Sequence, residues 1–325
     1  MPRYRNQLPQ LSGRFFMTDG GIETTLIFHE GLELPDFAAF DLLKDAAGYE
    51  ALRKYFRTYA ALARQYHVGF ILESATWRAS RDWGQKLGYS DNELADLNRK
   101  AIDLLCAIRM EYETERSPII ISGCIGPRGD GYQPTALMSA DEAQQYHQAQ
   151  IDVFSRTDAD LVTAITMNYV EEAIGIARAA KLARMPMVIS FTVETDGKLP
   201  TGQTLKDAIE SVDDATERAP VYYMINCAHP RHFEAVLTAE SWAERIYGVR
   251  ANASTKSHAE LNESAELDEG DPAEFGRQHR ALLGKLPHLS VFGGCCGTDH
   301  RHVEEICKAC IAPLDKVQGH VTSFG

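Results

Sequence analysis

Two adjacent cysteines, Cys295 and Cys296, sit between glycines in the stretch Ser290-Val291-Phe292-Gly293-Gly294-Cys295-Cys296-Gly297-Thr298. In a continuing strand their side chains would point to opposite faces and could not share a ligand. At a strand end, with glycines free to take positive φ, both sulfurs can turn toward one point. Such a thiolate pair suits a soft-to-borderline metal such as zinc; the plain alternative is two inert cysteines in a core strand. Cys227, closing the run Tyr223-Met224-Ile225-Asn226-Cys227, is the candidate third sulfur. Three thiolates and one vacancy describe a catalytic zinc site, whereas a structural site is closed by a fourth protein ligand. His229, His232, His300 and His302 stand near enough in sequence to be that ligand. Pro230 puts His229 on an outgoing loop, and the open site is the reading taken forward. Three thiolates leave the centre electron-rich, a poor activator of water but suited to keeping a substrate thiol deprotonated with its sulfur still nucleophilic. The implied reaction is attack by a thiolate on an electrophilic carbon.

Sulfurs so far apart in sequence need a scaffold that gathers strand ends. Eight short apolar or β-branched runs recur: 15–20, 68–75, 119–125, 160–166, 187–193, 221–227, 245–251 and 289–295. Several are nearly continuous, as expected of parallel strands buried on both faces. Helical stretches lie between them. Ser90 with Glu93 and Ser139 with Glu142 have capping-box spacing, and Asn168 with Glu171 and Asp271-Pro272 read as further helix starts. Leu52, Tyr55, Tyr59, Leu62 and Tyr66 share one helical face, a core stripe. Eight strands alternating with helices in 325 residues predict a single (β/α)8 TIM barrel over residues 1–325. The runner-up is an open doubly wound sheet, but no G-x-G-x-x-G follows the first strand. In a barrel, chemistry sits at the carboxyl ends of the strands, where Cys227 closes the sixth and Cys295 and Cys296 the eighth. The polar stretch from Ser254 to Gly270 reads as a long loop after the seventh strand, on that same face.

Bulk properties narrow the partners. Hydrophobic residues make up 44% and charged residues 24%, ordinary for a globular enzyme. A net charge of −13 argues against nucleic acid or an anionic membrane. No run is long and apolar enough to span a bilayer, and MPRYRNQLPQ holds no apolar signal core. The expectation is a cytoplasmic protein whose seven cysteines are free thiols or metal ligands rather than a disulfide framework.

The combination INC at 225–227 with GGCCGT at 293–298, preceded by Met17-Thr18-Asp19-Gly20-Gly21-Ile22-Glu23-Thr24-Thr25-Leu26, resembles the zinc-dependent homocysteine S-methyltransferases. Ser190-Phe191-Thr192 with Leu199, Thr201 and Gly202 is similar to that family's fifth strand and loop, and GVRANA at 248–253 to its seventh. The resemblance runs from about Phe15 to Ala312. It implies that Cys227, Cys295 and Cys296 ligate Zn2+, that Asp19, Gly20 and Gly21 line the homocysteine pocket with Asp19 toward the amino group, and that Asn252 lies at the rim near the substrate. A turn-capping carboxylate is the other reading of Asp19.

Two departures stand out. The family's fourth strand commonly ends in a Cys-Glu-Thr-like triplet whose Glu binds the amino group of homocysteine; here it is Ala164-Ile165-Thr166. The second commonly ends in a Thr-Asn-Thr-like triplet; here Glu73 appears, followed by Ser74-Ala75-Thr76-Trp77. A charge-assisted bond worth about 1.5–3 kcal/mol is lost at Ile165. Glu73 either replaces it, pairs structurally with Arg78 or Arg81, or marks a different thiol substrate. The resemblance implies a methyltransferase that moves a methyl group from a small-molecule donor to the thiol of homocysteine, giving methionine. Because the chain ends soon after its last helix, the resemblance favours a sulfonium donor, S-methylmethionine or S-adenosylmethionine, over betaine or folate. Trp77, Trp83 or Tyr169 could receive such a cation. Alkyl transfer to another small thiol, and a non-catalytic zinc or ligand-binding barrel, are the alternatives. Cys124 is a reserve ligand, and Cys307 and Cys310 are read as packing residues.

Overall fold

The computed structural model describes residues 1–264 and 266–311. Eight parallel strands close into one barrel in sequence order. They are β1 (Phe16–Met17), β2 (Gly69–Glu73), β3 (Ile119–Ile125), β4 (Leu161–Met167), β5 (Met187–Phe191), β6 (Tyr222–Asn226), β7 (Ile246–Ala251) and β8 (Val291–Gly294). All eight expected strands are present. The expected runs overshoot at both ends, by up to two residues at the amino end and up to three at the carboxyl end, where residues leave the ladder to build the rim. The helices are α1 (Ala46–Tyr66), α2 (Arg81–Lys86), α3 (Asp91–Tyr112), α4 (Ala140–Ser155), α5 (Val170–Leu182), α6 (Leu205–Thr216), α7 (Pro230–Phe233), α8 (His258–Asn262), α9 (Pro272–Lys285) and α10 (His300–Cys310).

The helix starts follow local chemistry. Ser90 and Ser139 complete capping boxes with Glu93 and Glu142, and Asp271 caps α9 with Pro272 in the first turn. Asn168 does not cap α5. Tyr169 is its N-cap without a side-chain capping bond, while the Asn168 amide donates to Asp130 O at 2.8 Å, tying two rim loops together. The stretch from Ser254 to Gly270 is not plain loop: it carries α8, opened by a capping box of Ser257 with Glu260. Cys307 and Cys310 face inward on α10.

The core has two apolar layers. The larger fills the space between helices and barrel; the smaller plugs the barrel's lower interior with Phe16, Ile71, Ile120, Leu161, Val188, Tyr222, Met224 and Val291. Side chains alternate along a strand, so interior positions recur every second residue. Two residues above Ile71, Ile120, Leu161 and Val188 stand Glu73, Ser122, Thr163 and Ser190, all buried. The interior therefore turns polar just beneath the rim.

Candidate metal centre

Cys227 follows β6 directly with a left-handed φ of 52°, and its amide donates to Arg250 O on β7 at 3.1 Å. Asn226, one residue earlier, fastens the end of β4. Its Oδ1 accepts from Thr166 N (2.9 Å) and Ser190 Oγ (2.7 Å), and its Nδ2 donates to Thr166 Oγ1 (2.9 Å). Thr166 has φ 66°, rare for a β-branched residue and kept only where the surroundings enforce it. One buried asparagine thus holds a strained threonine and precedes a strained cysteine.

Cys295 and Cys296 leave β8. Cys295 N donates to Ala251 O at 2.8 Å. Cys296 N donates to Asn252 Oδ1 at 3.0 Å, while Asn252 Nδ2 donates to Cys227 O at 3.0 Å. Asn252 is buried, and its amide is spent joining the two cysteine segments. Positive φ is used at Gly297 (77°) and not at Gly293 or Gly294. Those two are small for space: a side chain on either would collide with Thr18 or Thr298. Gly21 likewise brings the first loop against the site, since a Cβ there would lie 2.5 Å from Cys295 O.

The three sulfurs lie within 4.8 Å of one another, with Cys227 and Cys296 4.0 Å apart. Cys227 and Cys295 are in direct contact as a disulfide pair, their Cα atoms 5.4 Å apart. This departs from the expected set of free thiols, and it follows from bringing two strand ends to one point. Tetrahedral zinc–sulfur bonds of about 2.3 Å space sulfurs by roughly 3.8 Å. The Cys227–Cys296 separation matches, and three thiolates are a donor set zinc takes. A metal needs Cys227 and Cys295 as free thiolates, so the metal-bound form belongs to the reduced protein. Cys296 reaches solvent, but desolvation in the narrow mouth and the Glu23 charge push its thiol up to about 11, so metal-free it stays protonated at neutral pH.

No histidine joins the sulfurs among the described residues. His229 accepts from Arg231 N at 3.2 Å as the cap of α7, His232 bonds Thr255 O at 2.9 Å, and His302 bonds Glu269 O at 2.7 Å. Cys124 is buried in the barrel beneath the rim, where burial and then Glu73 raise its pKa. A second cluster, His29, Glu269 and Asp299, is already bridged by the Arg301 guanidinium, 2.7 Å from Glu269 and 2.6 Å from Asp299.

The residue that meets the sulfurs carries no sequence signal. Tyr132, on the loop between β3 and α4, donates its hydroxyl to Cys227 Sγ at 3.3 Å and lies 3.8 Å from Cys296 Sγ. Its ring packs on His258 of α8, centroids 4.3 Å apart, and His258 bonds Cys227 O at 2.5 Å and Glu194 Oε1 at 3.0 Å. Loops after β3, β5 and β7 therefore meet over the cysteines. The aromatics singled out from sequence are engaged elsewhere. Trp77 and Trp83 sandwich the Arg78 guanidinium at 3.9 and 3.8 Å, and the Tyr169 hydroxyl accepts from Met138 N at 3.2 Å. Arg78 faces these rings and Gly129 O and makes no ion pair with Glu73. Nor does Arg81, which pairs with Asp91.

Asp19 is buried beneath the rim with both oxygens occupied: Oδ1 accepts from Arg250 Nη2 at 2.6 Å and Oδ2 from the Tyr55 hydroxyl at 2.9 Å. Burial raises its pKa, opposed chiefly by Arg250. Glu73 is pushed up to about 7 by burial, opposed by Arg250 and the nearby Ser122 and Thr163 hydroxyls. Burial works against the Arg250 charge, yet Asp19 and Glu73 hold its pKa above the usual arginine value. Glu23, half-buried at the mouth before a π-helical turn (Thr24–His29), is also pushed up to about 7, mainly by desolvation.

The chain matches the family model described as Homocysteine S-methyltransferase over residues 16–310. It belongs to the homocysteine S-methyltransferase family. Among curated proteins it is 23% identical over 336 residues to a selenocysteine Se-methyltransferase of Brassica oleracea var. italica, covering 94% of this chain and 92% of that one. It is 21% identical to homocysteine S-methyltransferase 2 of Arabidopsis thaliana, covering 73% of this chain and 78% of the relative. Its fold resembles the homocysteine methyltransferase MmuM of Escherichia coli. The metallated form superposes with a TM-score of 0.72 at 18% identity, covering 93% of this chain and 98% of that one. The oxidized form superposes at 0.73 with 19% identity, covering 94% and 99%. Family membership makes this chain a thiol methyltransferase whose reaction is methyl transfer to homocysteine. No described helix is long and apolar enough to cross a membrane.

Proposed function

We propose that Cys227, Cys295 and Cys296 hold one Zn2+ and that the enzyme methylates homocysteine from a sulfonium donor, S-methylmethionine or S-adenosylmethionine. The observation that carries this is the convergence of three sulfurs from two strand ends within 4.8 Å. Zinc held by three thiolates lowers the pKa of a bound thiol while leaving its sulfur nucleophilic. The chain's own residues do the rest. Asn252 fixes the spacing of the two cysteine segments. Gly20 and Gly21 let the first loop close against Cys295 and Thr298. Tyr132 covers the sulfurs and must yield to an incoming thiol. That thiol loses its proton to solvent, and its sulfur attacks the donor's methyl carbon. The breaking carbon–sulfur bond leaves its electron pair on the donor sulfur, so a cationic sulfonium becomes a neutral thioether.

Support for a cationic donor lies at the mouth. Glu23 forms no ion pair among the described residues, and its charge acts on both Cys296 and Tyr132. A carboxylate and an aromatic ring at the entrance suit a sulfonium. A cytoplasmic location follows from the need for three reduced cysteines.

The test is metal analysis together with methyl transfer from each sulfonium to homocysteine. The reduced protein should hold one zinc, and Cys227→Ser, Cys295→Ser and Cys296→Ser should each lower metal content and abolish transfer. Zinc content unaffected by all three substitutions overturns the assignment.

A further inference from the structure

Two buried charged groups beneath the rim lack the partners their burial demands. Glu73 and Arg250 are 5% and 6% exposed, yet Glu73 Oε2 and Arg250 Nη1 have no hydrogen-bond partner. They do not satisfy each other: Arg250 makes its ion pair with Asp19, and no Glu73 oxygen is within 4.0 Å of it among the described residues. The remaining Arg250 bonds go to the carbonyls of Gly294 (3.3 Å) and Gly20 (3.4 Å). Burying a charged group with an empty bonding position is costly, and native interiors leave one so where a ligand or water completes it.

Strand register sends both side chains into the barrel below the sulfurs. Glu73 lies two residues beyond Ile71, and Ile71 belongs to the interior plug. Arg250 pairs with Gly293, midway between interior Val291 and Cys295. Asp19, by contrast, already has a partner on each oxygen, and Ile165 at the end of β4 is apolar and 7% exposed.

We infer that Glu73 and Arg250 are the two poles of the acceptor seat, which takes a zwitterionic α-amino acid thiol: Glu73 Oε2 receives the ammonium and Arg250 Nη1 donates to the carboxylate, while Asp19 positions Arg250 and touches no substrate. This rests on the thiol methyl-transfer reading above. A thiol lacking either charge leaves one pole buried and unpaired, so the seat discriminates strongly against it.

The experiment is calorimetric titration of the reduced full chain with methionine, the product that keeps both charges, and with its des-amino and des-carboxy analogues. The wild type should bind methionine roughly 10- to 100-fold more tightly than either analogue. Glu73→Gln, which keeps the side-chain shape, should erase the advantage over the des-amino compound and leave the advantage over the des-carboxy one. Arg250→Lys should weaken the second advantage. Because that change also disturbs Asp19, Glu73→Gln is the deciding variant. Equal binding of all three compounds to the wild type, no binding at all, or an undiminished amino preference in Glu73→Gln overturns the inference. Failure of the methyl-transfer reading shows differently, as missing zinc or missing transfer with amino acid binding intact.

Discussion

Replacing Glu73 with glutamine should make the protein more stable, by an amount that grows as pH rises from about 4.5 to about 7. The Glu73 carboxyl titrates at about 7 when folded, against 4.5 for an unperturbed glutamate. A raised carboxyl pKa means that the folded state binds the proton more tightly than the unfolded chain. Stability is therefore full below pH ~4.5 and is lost as pH rises through ~7. A gap of some 2.5 units corresponds to about 3 kcal/mol, and complete burial leaves no solvent screening to discount. The groups facing Glu73 are the same in both proteins. Arg250 stays charged, and burial pushes the Cys124 thiol and Tyr222 phenol upward; Asp19, which burial also raises, keeps its Arg250 ion pair in both proteins and cancels. Glu23 also titrates near 7, but it is present in both proteins and cancels. Unfolding free energies of reduced wild type and Glu73→Gln, measured in urea, should thus nearly coincide at about pH 4 and differ by about 3 kcal/mol at pH 8.5. For 325 residues the unfolding entropy is roughly 0.7 kcal/mol/K, so the variant's Tm should be higher by roughly 4 °C. Methionine should narrow the gap, because a bound ammonium supplies the partner that Oε2 lacks. Parallel curves across pH would refute the reasoning, since Glu73 would then carry the same proton affinity folded and unfolded.

Two further outcomes follow from the rim. Asn252→Ala removes the amide that joins Cys227 O to Cys296 N, so zinc affinity measured by chelator competition should fall by about 10- to 100-fold with far-UV circular dichroism unchanged; an unaltered affinity would show that the cysteine segments hold their spacing without it. Tyr132→Phe removes one hydroxyl hydrogen bond to sulfur, worth about 1 kcal/mol, that an incoming thiol must displace; the homocysteine KM should drop by about fivefold at constant zinc content, and a tenfold rise would instead make the hydroxyl a substrate contact.

What the sequence made legible was whatever repeats or clusters along the chain. Eight apolar runs with helices between them dictate a barrel, and strand ends then bring Cys227 to Cys295 and Cys296 across 68 and 69 residues. The missing strand-four carboxylate and the unusual Glu73 were also visible, because each departs from a pattern. Tyr132 and His258 were not. They come from different loops, and nothing in a sequence states that loops after β3 and β7 will cross the same opening. Asn168 misled for a related reason: good capping spacing was outweighed by a loop-to-loop bond to Asp130 that only the closed rim provides.

Arg250 is the instructive miss, because a local signal for it existed. Once Val291 is placed in the barrel's interior plug, alternation puts its partner Gly248 inside, and Arg250 two residues later must point inward as well. A guanidinium there cannot be left unpaired, and the carboxylate that meets it is Asp19, which follows β1 two strands round the barrel. On the proposed seat that pairing keeps Asp19 from the substrate and leaves the ammonium to a second carboxylate. On the proposed seat, with Ile165 apolar and Asp19 paired with Arg250, Glu73 is the interior carboxylate left to meet an ammonium, and its burial-raised pKa is the stability cost of keeping it there.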